Sequence, residues 1–300
     1  METQSLTLAR LRTLRLPIPH EGSKDERGSA FVLGGSTEVP GAALLAGVAA
    51  LRAGAGKLKI ATVRSVAIPL ALAIPEAMVV GLPETPSGGV EAQGALDRLL
   101  AVTKGCVAIL IGPGMVEDQE TTALTMALLK QHSSAAFILD AAAICGLGAH
   151  AADIRAFGSR AVITPHAGEM AQLLDRSRDE IEADPLRAAV DAAASLQVVV
   201  VMKGAKTWIV DPQGAHWFYE GGGIGLATSG SGDALAGLVV GLLARGAAPL
   251  TAALWGVYLH GEAGHRLAAD IGPLGFLARE ISGLAPGLLQ EAADDSATAP

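Results

Sequence analysis

The sequence predicts an α/β fold in which helices cover both faces of one mostly parallel sheet. Short β-rich runs alternate with Ala/Leu-rich helical runs almost throughout the 300 residues. Half of the residues are hydrophobic and only 17% are charged, which is enough apolar material for a large buried core. Strand–helix alternation of this kind implies parallel strands that are connected through helices on the two faces.

The predicted elements follow one another along the chain. Single strands are predicted at 29–35, 57–62, 106–114, 135–141, 160–166 and 197–204, and a hairpin closed around DPQG at 207–214 and 215–221. Residues 40–54 are predicted as a helix, with Pro40 near its start and Gly54 as its C-terminal stop. Two further helices are predicted at 231–245 and about 250–268.

One domain accounts for most of the chain. No linker or change in composition interrupts residues 28–285, so we predict a single domain there, preceded by an N-terminal segment at 1–27. The chain ends in the small, polar and acidic stretch QEAADDSATAP. We therefore expect a disordered tail at 286–300.

Charge and composition argue against several classes of partner. The net charge is -8 and no Lys/Arg cluster stands out, so neither nucleic acid nor an acidic membrane is an expected partner. No uncharged apolar run reaches the ~18 residues of a membrane span, and the N-terminus lacks the apolar core of a secretory signal. Cys106 and Cys145 have no metal-binding spacing, as expected of reduced thiols. We expect a cytoplasmic protein.

Glycine or polar residues follow several predicted strands. They are Gly34-Gly35-Ser36, Gly112-Pro113-Gly114, Asp140, Thr164-Pro165-His166 and Lys203-Gly204. Ligands of an open parallel sheet bind outside the carboxyl ends of its strands, so these residues should meet in one crevice. Each also has a purely structural explanation; Asp140, for example, would cap the next helix. Their joint placement is what predicts a site.

The stretch GLATSGSGDALAGLVVGLLARG, residues 225–246, places one acid between flexible glycines and an apolar helix. Backbone around Gly230 and Gly232 can approach a ligand closely, and the first N–H groups of the helix are free to bind an anion. Such a site stabilises a transferring phosphoryl group, and Asp233 beside it can accept a proton from an attacking hydroxyl. The alternative is an acid stabilised by the helix dipole alone.

These residues resemble known families. TSGSGDALAG resembles the Gly-Thr-Gly-Asp signature of ribokinase-like small-molecule kinases, with Ser231 in the Thr position. Residues 28–285 are similar to the ADP-dependent NAD(P)H-hydrate dehydratases through segments at 34–56, 111–115, 163–174, 203–209, 225–246 and 259–268. The Thr-Pro-His-x-Gly-Glu segment with the downstream Lys-Gly-Ala is the most specific part. The resemblance implies a ribokinase-like three-layer αβα sandwich.

The resemblance also implies roles for individual residues. Contacts to the hydrated nicotinamide nucleotide are implied for Ala42, Gly114, His166 and Asp233, with Asp233 as the base that acts on the ring hydroxyl. The adenine nucleotide is implied to lie against Lys203, Gly204, Ala205, Lys206 and Thr207, with Gly232 near its phosphates. Glu169 resembles the acid that orders a Mg2+ ion through water in related kinases.

The implied reaction uses ADP or ATP with Mg2+. Phosphorylation turns the ring hydroxyl of NADH hydrate or NADPH hydrate into a good leaving group, and loss of phosphate restores the reduced cofactor, so the enzyme is a lyase by outcome. The resemblance further implies a homotetramer and an epimerase encoded separately, since this chain lacks an epimerase domain. The residues do not decide between ADP and ATP or between the two hydrates.

One departure from the family keeps other functions open. The family commonly shows Leu-Asp-Ala-Asp-Ala-Leu after the middle strand, whereas this chain has Ala142 in place of the second Asp. A non-catalytic nucleotide-binding homologue is therefore one alternative. The other is a ribokinase-like kinase of a vitamin-precursor alcohol, which would share the Gly-x-Gly-Asp site but would not need the Thr-Pro-His-x-Gly-Glu segment.

Overall fold

A computed structural model describes residues 3–18 and 23–294. The strands are β1 Gln4–Ser5, β2 Ser29–Leu33, β3 Lys57–Val63, β4 Ala77–Leu82, β5 Ala108–Ile111, β6 Ala136–Leu139, β7 Ala161–Ile163, β8 Val199–Met202, β9 Thr207–Val210 and β10 His216–Tyr219. The α-helices are α1 Leu8–Arg12, α2 Gly41–Arg52, α3 Arg64–Ala73, α4 Ala92–Thr103, α5 Gln119–Gln131, α6 Ala142–Cys145, α7 Ala151–Phe157, α8 Ala167–Leu174, α9 Arg178–Ala183, α10 Pro185–Leu196, α11 Ser231–Ala244, α12 Pro249–Asp270 and α13 Ala278–Asp294. Every element predicted from the sequence is present.

The strands form one ten-stranded sheet in the order β1-β10-β9-β8-β7-β6-β5-β2-β3-β4. Neighbours from β8 to β4 are all parallel. The hairpin of β9 and β10 joins antiparallel to β8, and β1 adds a short parallel edge. The predicted mostly parallel α/β fold is therefore confirmed.

Alternating side chains divide the core into two layers. In β2, Ala30 and Val32 join the cluster beneath α2, α11, α12 and α13, while Phe31 and Leu33 join the cluster beneath α4, α5, α8 and α10. This period-2 pattern is what a strand buried on both faces requires. The molecule is thus the three-layer αβα sandwich that the resemblance implied.

Small residues let α11 pack directly on α2. A Cβ built on Gly237 would lie 2.3 Å from the Ala46 carbonyl oxygen, and one on Gly241 would lie 2.3 Å from the Ala50 carbonyl oxygen. Any larger side chain on this face of α11 would push the two helices apart. The close contact fixes α11, and with it the position of the helix start that carries Asp233.

Both ends of the chain depart from their predictions. β1 pairs with β10 and Leu11 is fully buried, so the described part of segment 1–27 belongs to the domain. The predicted disordered tail is helical up to Asp294, because Ile281, Ala285, Leu288 and Ala292 recur at helical spacing and are buried. Residues 295–300 of that tail lie outside the described residues. No helix in the described ranges combines the length and the apolarity needed to cross a membrane.

Candidate active site

Five adjacent parallel strands end at one edge of the sheet. β8, β7, β6, β5 and β2 are consecutive in the strand order. The residues that follow them are Lys203, Thr164, Asp140, Gly112 and Gly34. The crevice predicted from the polar strand ends is therefore present, and helices α8 and α11 begin beside it.

A buried ion pair occupies the middle of this edge. Asp140 is 2% exposed, and its Oδ1 accepts hydrogen bonds from Lys203 Nζ at 2.9 Å and from Thr164 Oγ1 at 2.6 Å. Burial disfavours the ammonium of Lys203, but the carboxylates of Asp140 and Glu169 outweigh it and raise the pKa of Lys203. Lys203 is therefore a fixed positive charge in the crevice.

His166 and Glu169 close the start of α8. Nδ1 of His166 accepts hydrogen bonds from the amides of Gly168 at 3.0 Å and Glu169 at 3.2 Å, while Glu169 Oε2 accepts one from the His166 amide at 2.7 Å. This reciprocal arrangement is a capping box, with histidine in the place usually taken by Ser or Thr. The imidazole is still 58% exposed, so a ligand can reach it.

Glu169 also lies inside the charged cluster. Its Oε2 is 3.6 Å from Lys203 Nζ, and its side chain is 10% exposed. Burial, assisted by the charge of Asp140, raises the pKa of Glu169 against the opposing effect of Lys203. The carboxylate thus has a structural task at α8 as well as a place beside the crevice.

The start of α11 is built differently. Its N-cap is Gly230, which has φ 87° and no side chain to close the helix end. The first intrahelical bond is donated by the Ala234 amide to the Gly230 carbonyl, so the amides of Gly232 and Asp233 precede it. A Cβ built on Gly232 would lie 3.4 Å from Lys203 Nζ. Free amides and an ammonium therefore meet here, as in an anion site.

Asp233, on the first turn of α11, has an environment suited to proton transfer. Burial and the neighbouring charges of Asp140 and Glu169 together raise its pKa to about 7, against the opposing effect of Lys203. A carboxylate with a pKa near neutrality can accept a proton at physiological pH and release it again.

The segment from Lys203 to Thr207 separates two cavities. One, of about 780 Å³, is lined by Lys203, Gly204, Ala205, Thr207 and Gly232, together with Tyr219, Leu226 and His260. The other, of about 810 Å³, includes Lys206 and extends to α9 and α10, and His166 lines both cavities. All six residues predicted to hold the nucleotide therefore line a cavity, and the first cavity also reaches the open start of α11.

Ala42, in the first turn of α2, lies next to Gly114. Gly114 has φ 65°, and a Cβ built on it would lie 2.7 Å from the Ala42 Cβ. Leu45, one turn further along α2, would in the same way meet a Cβ on Gly230. Ala42 is only 3% exposed, and neither residue lines either of the two cavities.

The departure at Ala142 lies next to the ion pair. Ala142 is 8% exposed and begins α6 directly after Ala141, whose φ of 48° is rare for a residue with a Cβ. α6 has no side-chain cap, so Asp140 does not have the capping role that was its structural alternative. Asp140, the acid that remains in this loop, forms an ion pair with Lys203.

Sequence reasoning missed His260, which lines the cavity of about 780 Å³ from α12. Its Nε2 lies 2.9 Å from Ser231 Oγ and 3.0 Å from the Ser231 carbonyl oxygen. Burial lowers the pKa of His260 to about 4, so the ring is neutral. The matched segment LHGEAGHRLA contains this histidine, but its contact with a serine 29 positions away depends on how α12 packs against α11.

Comparisons with known proteins show the family to which the chain belongs. The Carb_kinase family model, described as NAD(P)H-hydrate dehydratase, matches residues 30–286. The chain is 48% identical over 288 residues to an ADP-dependent (S)-NAD(P)H-hydrate dehydratase of Xanthomonas campestris, covering 95% of this chain and 96% of that protein. Its fold is also that of an ADP/ATP-dependent NAD(P)H-hydrate dehydratase from Bacillus subtilis co-crystallised with ATP/Mg2+, with a TM-score of 0.82 and 29% identity, covering 97% and 99% of the two chains.

Some relatives are longer. A bifunctional NAD(P)H-hydrate repair enzyme of Moorella thermoacetica is 37% identical over 277 residues, which is 92% of this chain but 52% of that protein. The present chain therefore corresponds to about half of the bifunctional relative.

Proposed function

Because the chain belongs to the NAD(P)H-hydrate dehydratase family, we propose that it is an ADP-dependent (S)-NAD(P)H-hydrate dehydratase that restores NADH or NADPH from the damaged hydrate. The observation that carries this proposal is the position of Asp233. Its carboxyl, with a pKa raised to about 7, stands on the first turn of a helix whose amides are open and whose start meets Lys203. A base beside an anion site is what phosphorylation of a hydroxyl requires.

The first step is phosphoryl transfer. Asp233 takes the proton of the ring hydroxyl while the hydroxyl oxygen forms a bond to the terminal phosphorus of the nucleotide. The bond from that phosphorus to the bridging oxygen breaks, and AMP leaves when the donor is ADP, or ADP when it is ATP. Lys203 and the amides at the start of α11 stabilise the negative charge that develops on the transferring group.

The second step is elimination. The ring nitrogen donates its electron pair, the carbon–oxygen bond breaks and inorganic phosphate leaves. Loss of a proton from the neighbouring ring carbon then restores the double bond of the dihydropyridine. The sum is hydrate plus nucleotide giving reduced cofactor, phosphate and a nucleotide one phosphate shorter.

In this proposal, one group of residues binds the nucleotide and a second group binds the hydrate. The nucleotide lies in the cavity of about 780 Å³ against Lys203, Gly204, Ala205 and Thr207, with Lys206 beside it and Gly232 near the phosphates. The hydrate is contacted by Ala42, Gly114 and His166, so that its ring hydroxyl faces Asp233. The support is that Asp233 and Gly232 share the first turn of α11, where Gly232 lines this cavity and Gly230 packs beside Leu45 of α2. His166 lines the same cavity, so it can reach a ligand there.

Magnesium is the further component that we propose. Mg2+ in phosphoryl-transfer sites is held by the substrate phosphates and by one or two carboxylates, often through water. Within the described ranges, no three His, Cys, Asp or Glu side chains are grouped so that they could hold a metal ion. Glu169, beside Lys203 at the crevice, fits the indirect role, and the ion would neutralise phosphate charge there.

Fewer observations support the two alternative functions, a kinase and a non-catalytic homologue. A kinase of a vitamin-precursor alcohol would use the same base and anion site, but both the family match and the 48% identical relative concern hydrate dehydration. A non-catalytic homologue is favoured by Ala142 alone, and the intact pair of Asp140 and Lys203 argues against it.

One experiment tests the proposal. The protein is incubated with prepared NADH hydrate or NADPH hydrate, Mg2+ and either ADP or ATP, and the absorbance of reduced nicotinamide is followed together with phosphate release. We expect both signals to rise in parallel. A stable phosphorylated alcohol would indicate the kinase, and ADP binding without turnover of any hydrate would indicate the non-catalytic homologue.

Assembly and location complete the proposal. We infer a homotetramer, which is supported by apolar side chains left exposed on α3 and β4, among them Ile68, Leu72 and Met78; light scattering in solution tests it.

A separate epimerase is supported by the bifunctional relative, about half of which has no counterpart here. Two free cysteines support the cytoplasm as the location.

A further inference from the structure

Asp140 is a buried acid with no assigned task in the proposed reaction. It is 2% exposed, and both hydrogen bonds to its side chain end on Oδ1, from Thr164 and from Lys203. A buried charge is costly unless it is paired, and removing one partner of such a pair is usually destabilising. Replacing both members of such a pair by apolar residues is often neutral or stabilising, so the pair as a whole needs an explanation beyond stability.

The partner of Asp140 explains its presence. Lysine has a flexible four-carbon stem, and its ammonium would otherwise sample many positions. Here Nζ is 2.9 Å from Asp140 Oδ1 and 3.6 Å from Glu169 Oε2, and a Cβ on Gly232 would be 3.4 Å from it. The ammonium is therefore paired with two carboxylates and lies beside Gly232, in the first turn of α11.

We propose that Asp140 is a positioning residue, which holds the Lys203 ammonium at the start of α11 where it meets the phosphoryl group. This inference rests on the proposed function for the identity of the group that Lys203 stabilises. Asp140 acts through Lys203 and does not touch the substrate. Thr164, which donates to the same carboxylate oxygen at 2.6 Å, orients the acid in turn.

A competing effect has the opposite sign, which makes the proposal testable. A carboxylate close to the phosphates repels them, so neutralising it without loss of position would tighten nucleotide binding. If Asp140 positions Lys203, the same change loosens the ammonium and weakens both binding and catalysis. Asp140→Asn preserves the size of the side chain and its acceptor for Thr164, and therefore separates the two effects.

The test is a double-mutant cycle of Asp140→Asn and Lys203→Met in the full-length protein. For Asp140→Asn we expect kcat to fall by about 10²-fold, as for a catalytic group displaced by about 1 Å, and ADP affinity measured by calorimetry to fall about tenfold. Because Asp140 acts through Lys203, the double variant should be no worse than Lys203→Met alone. Losses that add, or tighter ADP binding in Asp140→Asn, would overturn the proposal.

If Lys203→Met does not fold, a second measurement that does not need this variant tests the proposal. Reductive methylation followed by mass spectrometry reports the accessibility of each lysine, with the exposed Lys130 as internal reference. Lys203 should react faster in Asp140→Asn than in the wild type, and equal reactivity would contradict the proposal. Asp153→Asn removes the exposed acid beside Lys130 and is the matched control, for which we expect unchanged kinetics.

These readouts also separate this inference from the proposed function. A wild-type protein that fails to dehydrate any hydrate refutes the function, whereas the calorimetric cycle with ADP and the labelling of Lys203 still decide whether Asp140 holds the ammonium. Active wild type with an additive cycle refutes the positioning role and leaves the function intact.

Discussion

Two helices begin at the crevice, and their starts are built in opposite ways. α8 is closed by its own residues, because His166 accepts from two of its amides and Glu169 accepts from the cap amide in return. α11 begins at Gly230, whose backbone is left-handed and which has no side chain to offer. The start of α8 is capped by its own side chains, whereas the start of α11 has no side-chain cap.

The difference indicates which polar residues are free of structural hydrogen bonds and can therefore take part in a reaction. Side chains at α8 have defined structural partners, so a change there alters stability as well as any contact to substrate. At α11 the acid Asp233 has no such structural task, and its surroundings raise its pKa to about 7. Changes at α11 should therefore affect rate, and changes at α8 should affect stability and binding.

The largest expected effect is that of Asp233→Asn. The amide keeps the size of the side chain but cannot accept the hydroxyl proton, so turnover should fall by ~10²–10⁴ while ADP affinity persists. Steady-state kinetics, calorimetry and a melting curve measure the three quantities. Asp153→Asn, on the first turn of α7, is the control for loss of an acid at a helix start. Near-normal kcat in Asp233→Asn would remove this residue from the mechanism.

The pH dependence of the rate follows from the same group. Asp233 must be ionised to act as a base, so kcat/KM should fall about tenfold per pH unit below the pKa of about 7 and level off above it. The folded state binds this proton more tightly than the unfolded state, so ionisation of Asp233 destabilises the fold as pH rises towards 7. Asp233→Asn should accordingly melt higher than the wild type at pH 8. A rate that is flat between pH 5 and pH 8 would contradict this assignment.

A smaller effect is expected at the nucleotide segment. Gly204 is exposed at the end of β8, and a Cβ built on it would lie 3.3 Å from the Lys206 carbonyl oxygen. Gly204→Val crowds the turn and the cavity wall, and ADP affinity should fall about tenfold, as when one good hydrogen bond to a charged group is lost. Gly158→Val, in an open loop away from the crevice, is the control for stability, since its φ of 80° strains the backbone without touching the site. Unchanged ADP affinity by calorimetry in Gly204→Val would show that the segment does not hold the nucleotide.

The fold was predictable where the hydrophobic pattern and the turn residues indicate the same element boundaries. Apolar runs that end in glycine or a polar residue marked β2, β5, β6, β7 and β8 correctly, because the period and the turn residues are local properties. Residues 286–294 were expected to belong to a disordered tail but continue α13, since composition obscured the helical spacing of Leu288 and Ala292. β1 was not predicted because two residues form a strand only when β10 is present to pair with them.

The site was predictable as a set of positions but not as a network. The sequence placed Asp140, Lys203 and Thr164 at strand ends, and the parallel topology brought them together. It offered no signal that Asp140 pairs with Lys203 rather than capping a helix, since that depends on which strands are neighbours. The contact of His260 with Ser231 was missed for the same reason.

The smallest expected effect separates the two tasks of His166. His166→Ala removes the Nδ1 acceptor of the capping box and should cost about 0.5–2 kcal/mol of stability. His166→Asn supplies a side-chain oxygen suited to the same amides and should restore most of that stability, although it also lacks the imidazole. If His166 contacts the hydrate, both variants should raise the KM for the hydrate to a similar extent with ADP affinity nearly unchanged. Melting curves and steady-state kinetics of the pair measure the two tasks separately. Lost ADP binding with a normal KM for the hydrate would show that the two subsites are exchanged, and equal melting temperatures for the two variants would show that the capping box contributes nothing at this helix start.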